Sequence, residues 1–137
     1  LKLILMAYNQ LTKEEELVIE SRQTEPPFSG EYDNFFQEGI FICRRCNAPL
    51  FSSKSKFEAH CGWPAFDESY PNAIKRSVDS TYGMKRIEIQ CANCHAHLGH
   101  EFLDEGFTKT NTRECVNSLS IKFIKSGDQI PTILTKD

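Results

Sequence analysis

Two C-x-x-C pairs, Cys43-Arg44-Arg45-Cys46 and Cys91-Ala92-Asn93-Cys94, restrict what this chain can fold into more than any other feature. One tight turn brings two thiolates to a single ion, and two such turns complete the tetrahedral shell of a zinc site. The pairs lie far apart in sequence, so one Zn²⁺ per chain joins distant hairpins and its role is structural. Four cysteines also close the shell, leaving no position for metal catalysis. The competing readings are redox C-x-x-C motifs and plain buried thiols, but the βαβ pattern that accompanies a thioredoxin-like motif is missing. His95 adjoins Cys94 and is read as a surface residue or a support for the ligands, since the shell is already full.

The remaining cysteines, Cys61 and Cys115, stand alone. With 137 residues, 39% apolar and 26% charged, the chain is one domain's worth with a modest core. A formal charge of −3, lowered further by four metal-bound thiolates, leaves no electrostatic footprint for nucleic acid or an anionic membrane. The early apolar run Leu3-Ile4-Leu5-Met6-Ala7 is too short for a signal-peptide core or a membrane span. The expectation is an intracellular, cytoplasmic monomer, with Met6 a candidate translation start. Six cysteines in this length fall below the density of a disulfide-stapled module, and in a reducing compartment paired cysteines more often mean metal.

Along the chain, residues 1–10 read as an N-terminal tail, 11–124 as the domain and 125–137 as a C-terminal tail. Leu11 to Arg22 is predicted as a short surface helix, capped by Thr12 with Glu15 closing a capping box. Gln23 to Gly39 has no periodicity and reads as a wrapping segment anchored by Phe28, Tyr32, Phe35 and Phe36. Strands follow at Gly39 to Ile42, Pro49 to Phe51, Ile74 to Val78, Met84 to Gln90 and His100 to Leu103, with a turn at Asp104-Glu105-Gly106. Arg113 to Ile124 gives the clearest strand pattern. If continuous, it places Arg113, Cys115 and Asn117 on one face and Glu114 on the other, unless a bulge intervenes.

Cys115 lies between Arg113 and Asn117. A buried structural thiol is the ordinary reading of a lone cysteine. His97 and His100, directly after the second knuckle, offer the other reading, because neighbouring cations raise the thiolate fraction and a histidine passes protons near neutral pH. Cys61-Gly62-Trp63-Pro64 holds the only tryptophan in an irregular loop, where it walls a pocket or anchors the loop. A nucleophilic cysteine that is oxidised in turnover needs a resolving thiol, and Cys61 is available for that role.

Taken in order, Cys43-x-x-Cys46, Cys61-Gly62-Trp63-Pro64-Ala65-Phe66, Cys91-x-x-Cys94, Ala96-His97-Leu98-Gly99-His100 and Arg113-Glu114-Cys115-Val116-Asn117-Ser118 closely resemble the methionine-R-sulfoxide reductases, MsrB. Thr24-Glu25-Pro26-Pro27-Phe28-Ser29-Gly30 is similar to the family's N-terminal segment, so the resemblance spans about residues 11 to 124. It implies a mainly β fold of two small antiparallel sheets, tent-like, with a structural zinc. It further implies Cys115 as nucleophile, Cys61 as resolving cysteine, and His97, His100 and Asn117 as the groups that polarise and protonate the sulfoxide oxygen or order the site. Trp63, Phe66 and Arg113 would contact substrate, with Arg113 favouring the thiolate. The implied substrate is methionine sulfoxide, free or in proteins, and the implied reductant is a thioredoxin-like dithiol. Three residues depart from the family pattern: Glu114 where an aromatic is frequent, Ala65 where serine is common, and His60 where glycine often stands. Two other functions compete, a zinc-dependent protein-binding module without catalysis and a Cys-His-Asn hydrolase built on Cys115 and Asn117.

Overall fold

The computed structural model describes residues 7–135. Met6 and most of the early apolar run therefore lie outside the described residues. Thr12 caps helix α1 (Lys13–Ile19), its hydroxyl accepting from Glu15 N while the Glu15 carboxylate accepts from Thr12 N, the reciprocal pair expected from the sequence. The helix is shorter than predicted and is not purely a surface element, because Val18 and Ile19 are buried. No helix among the described residues is long and apolar enough to cross a membrane.

Among the described residues nine strands follow: β1 (Gly39–Cys43), β2 (Pro49–Ser52), β3 (Lys56–Phe57), β4 (Ala65–Phe66), β5 (Ile74–Asp79), β6 (Arg86–Cys91), β7 (His97–Leu103), β8 (Thr112–Val116) and β9 (Ile121–Lys125). They form two sheets, ordered β2-β1-β9 and β3-β4-β8-β7-β6-β5, with every pairing antiparallel. The fold is mainly β, as expected. Aromatic packing joins the sheets: Phe41 of β1 meets Phe66 of β4 edge-on at 5.1 Å, and Phe66 stacks on Phe51 of β2 at 4.3 Å. Each buried ring contributes roughly 1.5–3 kcal/mol from apolar area alone.

The strand predicted from Arg113 to Ile124 is broken. It leaves the large sheet after Val116, makes a 3-10 turn at Ser118–Ser120, and joins the small sheet as β9. The N–H groups of Ser118 and Leu119 turn to the Glu25 carboxylate, each at 3.0 Å, instead of to a neighbouring strand. Satisfied buried donors make the break cheap, which alternation of side chains does not reveal. In the wrapping segment Tyr32 is buried and Phe35 packs against the core, but Phe28 and Phe36 are 72% and 52% exposed and do not anchor it. The segments expected as tails both fasten to the first knuckle: Asn9 N donates to Arg45 O at 2.9 Å and Leu134 N to Cys46 O at 2.7 Å.

Candidate active site

Register across the large sheet decides which side chains meet. Ala65, Cys115, His100 and Glu88 fall opposite one another on β4, β8, β7 and β6, so Cys115, His100 and Glu88 share a face. Phe66, Glu114 and Glu101 form the adjacent row, pointing the other way. Glu114 therefore faces away from Cys115, as the alternation predicts. Phe66, expected at the substrate pocket, is completely buried in the core, because its register partner is Glu114 rather than Cys115.

A bulge shifts the pairing between Ile89 and Gln90 of β6 against β7. It re-aims His97 so that it joins His100, their rings 5.6 Å apart, although residues three apart in a regular strand point to opposite sides. Each histidine is oriented by a carboxylate: His97 Nδ1 lies 2.7 Å from Glu88 Oε2, and His100 Nε2 lies 2.7 Å from Asp79 Oδ2. Arg22 grips Glu88 with two bonds, at 2.7 and 3.2 Å. Thr81 and His100 hold the Asp79 carboxyl well below the usual carboxylate range, so it is ionised. Burial pushes the His97 imidazole down, against the pull of Glu88. The sequence pattern missed Glu88 and Asp79: strand alternation counts Glu88 among outward polar residues, and Asp79 lies at the end of a strand. The only signal for Glu88 was its place on the strand before the histidine motif, and Asp79, one strand further out, carried none.

Gly99 brings β7 and β8 together beside the candidate nucleophile. A Cβ there would lie 1.9 Å from Cys115 O, a separation no side chain tolerates. A pocket of about 200 Å³ opens over this crossing, lined by Cys61, Trp63, His100, Arg113, Cys115 and Asn117 together with Thr24 and Phe102. A wider groove adjoins it through Thr24, Arg86 and His100 and is the one that His97 lines. Of the residues predicted for catalysis and substrate contact, the structure thus gathers all but His97 and Phe66 in one pocket.

The two lone sulfurs meet there, Cys61 Sγ and Cys115 Sγ being 4.0 Å apart. A disulfide needs about 2.05 Å, so a loop movement of about 2 Å joins them. Hydrogen bonding to Cys115, helped by Arg113, holds the Cys61 thiol down to about 6 against its partial burial. Cys61 and burial together push the Cys115 thiol up, with Arg113 opposing. The pair thus keeps one proton between two sulfurs, with the more accessible Cys61 the readier thiolate. Arg113 stacks over the Phe102 ring at 4.2 Å and donates to Glu105 at 2.8 and 3.2 Å, which fixes its charge beside the pair.

Asn117 directly follows β8. Its Oδ1 accepts from Glu25 N at 2.9 Å and its Nδ2 donates to Leu98 O at 3.0 Å. Trp63 Nε1 donates to Glu25 O at 3.0 Å, which sets the indole as a wall. Gly62 takes φ 95° in the same loop, where a Cβ would also press on Pro27.

The four knuckle sulfurs of Cys43, Cys46, Cys91 and Cys94 lie within 4.8 Å of one another, all buried, with separations of 3.5 Å (Cys43 to Cys94) and 3.6 Å (Cys46 to Cys91). Zn–S bonds of about 2.3 Å at tetrahedral angles require sulfurs about 3.8 Å apart, so this cage fits a metal ion of that size. His95 is exposed and contributes no ligand.

Comparison with known proteins agrees with this geometry. Residues 11–125 match the SelR domain. The chain is 49% identical over 121 residues to peptide methionine sulfoxide reductase B3 of Arabidopsis thaliana, a match covering 88% of this chain and 68% of that protein. It belongs to the methionine sulfoxide reductase B family. Another member, peptide methionine sulfoxide reductase MsrB of Chromohalobacter salexigens, is 44% identical over 115 residues, covering 83% of this chain and 86% of the relative. A chloroplastic B3 member from rice, Oryza sativa subsp. japonica, is 48% identical over 119 residues, and the match covers 86% of this chain but 51% of that longer protein. Both cysteines of the pocket and all four cage cysteines lie inside the stretch that matches the domain.

Proposed function

We propose that the chain is an oxidoreductase that reduces methionine R-sulfoxide to methionine, free or within proteins. The observation that carries this reading is the pair of thiols 4.0 Å apart in a pocket walled by Trp63, with His100 and Asn117 beside Cys115. In the first step the Cys115 sulfur bonds to the sulfoxide sulfur while its proton passes to the Cys61 thiolate. His100 supplies a proton to the sulfoxide oxygen. The sulfoxide S–O bond then breaks as the protonated oxygen passes to the Cys115 sulfur and the bond between Cys115 and the methionine sulfur opens, so methionine leaves and Cys115 is a sulfenic acid. Cys61 then attacks that sulfur, and a disulfide forms as water leaves with the Cys61 proton. An external dithiol of the thioredoxin type returns both thiols by exchange. Two electrons thus pass from the cysteine pair to the sulfoxide, and then from the dithiol to the cysteine pair.

The metal in this reading is one Zn²⁺ held by Cys43, Cys46, Cys91 and Cys94, which supplies structural cross-linking and no reactive position. We place the protein in the reducing cytoplasm as a monomer acting in repair of oxidised methionine. A Cys-His-Asn hydrolase is disfavoured by the amide of Asn117, which bonds to Glu25 and Leu98 rather than to a histidine. A bare binding module leaves the juxtaposed thiols unexplained.

Mass spectrometry after one turnover on a racemic sulfoxide, without reductant, is the test. A Cys61 to Cys115 disulfide with one epimer consumed is expected, and Cys115→Ser is expected to consume neither. Unchanged thiols or an acyl adduct, with both epimers intact, would sink the reading.

A further inference from the structure

Glu25 touches neither reacting sulfur, yet its backbone and side chain hold both sides of the pocket. Its carbonyl accepts the Trp63 indole N–H at 3.0 Å, and its own N–H donates to Asn117 Oδ1 at 2.9 Å. Its carboxylate takes the N–H of Ser118 and of Leu119, both at 3.0 Å. Trp63 belongs to the loop that carries Cys61, and Asn117 directly follows the strand that carries Cys115. One residue of the wrapping segment therefore bridges the two pieces of chain whose sulfurs must meet. The neighbouring residues reinforce the bridge: Phe28 N donates to Gly62 O at 2.7 Å, and Arg22 grips Glu88.

The carboxylate is the fixed point of this bridge. Glu25 is 3% exposed; burial pushes its carboxyl up, and the two N–H donors of the turn after Asn117 oppose that shift. A Cβ on Gly30 would lie 2.4 Å from Glu25 Oε2, so the neighbouring backbone closes over the carboxylate. Two parallel donors orient a carboxylate as one hydrogen bond cannot, and through it the main chain of residue 25 that meets Trp63 and Asn117.

We propose that Glu25 is a positioning residue for sulfoxide reduction: it sets the spacing of Trp63 and Asn117, and with it the approach of Cys61 to Cys115. This inference rests on the function proposed above and deepens it. Misplacement of a reacting group by about 1 Å costs on the order of 100-fold in rate, so loosening this bridge reads out mainly in kcat.

Glu25→Gln keeps the backbone N–H and carbonyl but offers one acceptor oxygen where two N–H groups need partners. Its amide N–H₂ then faces a donor. A fall in kcat on the order of 10- to 100-fold is expected, with a smaller change in KM and undiminished metal content. Trp63 is the sole tryptophan, so acrylamide quenching of its fluorescence reports directly on its restraint, and faster quenching is expected in the variant. Glu25→Asp retains both acceptors on a shorter arm and is expected to recover part of both properties; it also serves if the glutamine variant does not fold. Native kcat with native quenching in either folded variant overturns the proposal. A lowered kcat with unmoved quenching overturns it too. If the native chain itself leaves sulfoxide unreduced, the proposed function fails, while the quenching difference between native and variant still decides whether Glu25 positions Trp63.

Discussion

Cys61 and Cys115 share one proton, and which sulfur holds it sets how each reacts with a probe. The Cys115 S–H hydrogen bond and Arg113 favour the Cys61 thiolate, which forms as pH rises through about 6. Iodoacetamide labelling of Cys61 is therefore expected to rise with pH with a midpoint near 6. In Cys115→Ala the partner is gone and the midpoint moves toward the ordinary thiol value of about 8.5. An unchanged midpoint would mean that Cys115 does not control Cys61. Glu114 permits a second measurement on the other face of the same strand. It is 1% exposed, its Oε1 has no partner, and burial with Glu101 nearby pushes its carboxyl up to about 8, against Arg76. A raised carboxyl means that the folded state retains a proton the unfolded chain gives up near 4.5. Its contribution is fully present below pH 4.5 and is lost as pH rises through about 8. Glu114→Gln does not titrate, so its stability relative to the native chain is expected to grow between these limits, by an amount on the order of a few kcal/mol. Urea unfolding at pH 5 and pH 8.5 measures it, and a difference independent of pH would refute the assignment.

At the level of elements, β7 and β8 make the site, and what holds them close is the bare backbone at Gly99. Gly99→Ala puts a methyl into Cys115 O at 1.9 Å, so the strands must part. A loss on the order of 1–3 kcal/mol is expected, seen as a lower urea midpoint, together with disrupted pairing of His100 with Cys115. Native stability in this variant would show that the strands are free to shift. The same two strands show what was legible in the sequence. That Cys115, His100 and Arg113 come together was readable, because residue type and spacing pointed to one site, and so was the opposite orientation of Glu114. The break after Val116 was not, because it depends on a carboxylate at Glu25, more than ninety positions away. Phe66 was misplaced for a related reason: proximity to Cys61 and Trp63 in sequence says nothing about β4 pairing with β8. The bulge that brings His97 alongside His100 leaves no mark on alternation either.

Across the whole molecule, the cage of Cys43, Cys46, Cys91 and Cys94 is the point where distant pieces converge. Cys43 ends β1 in the small sheet, Cys91 ends β6 in the large one, and the segments at residues 9 and 134 both bond to the first knuckle. Cys94 lies three residues before His97, so the cage also anchors the start of the strand that carries both histidines. Zinc in such a site contributes directly to folding, and thiolates held by it react slowly with thiol reagents. Chelation, or Cys91→Ser, is therefore expected to lower turnover by loosening β7 while Cys61 and Cys115 remain chemically intact. Six cysteines provide the check: about two thiols react rapidly with a disulfide reagent in the metal-loaded chain, and about six after chelation. Metal content, turnover and rapid thiol count should change together. Full activity in a metal-free chain with all six thiols reactive would make the cage dispensable and leave the sheets to hold the histidines unaided.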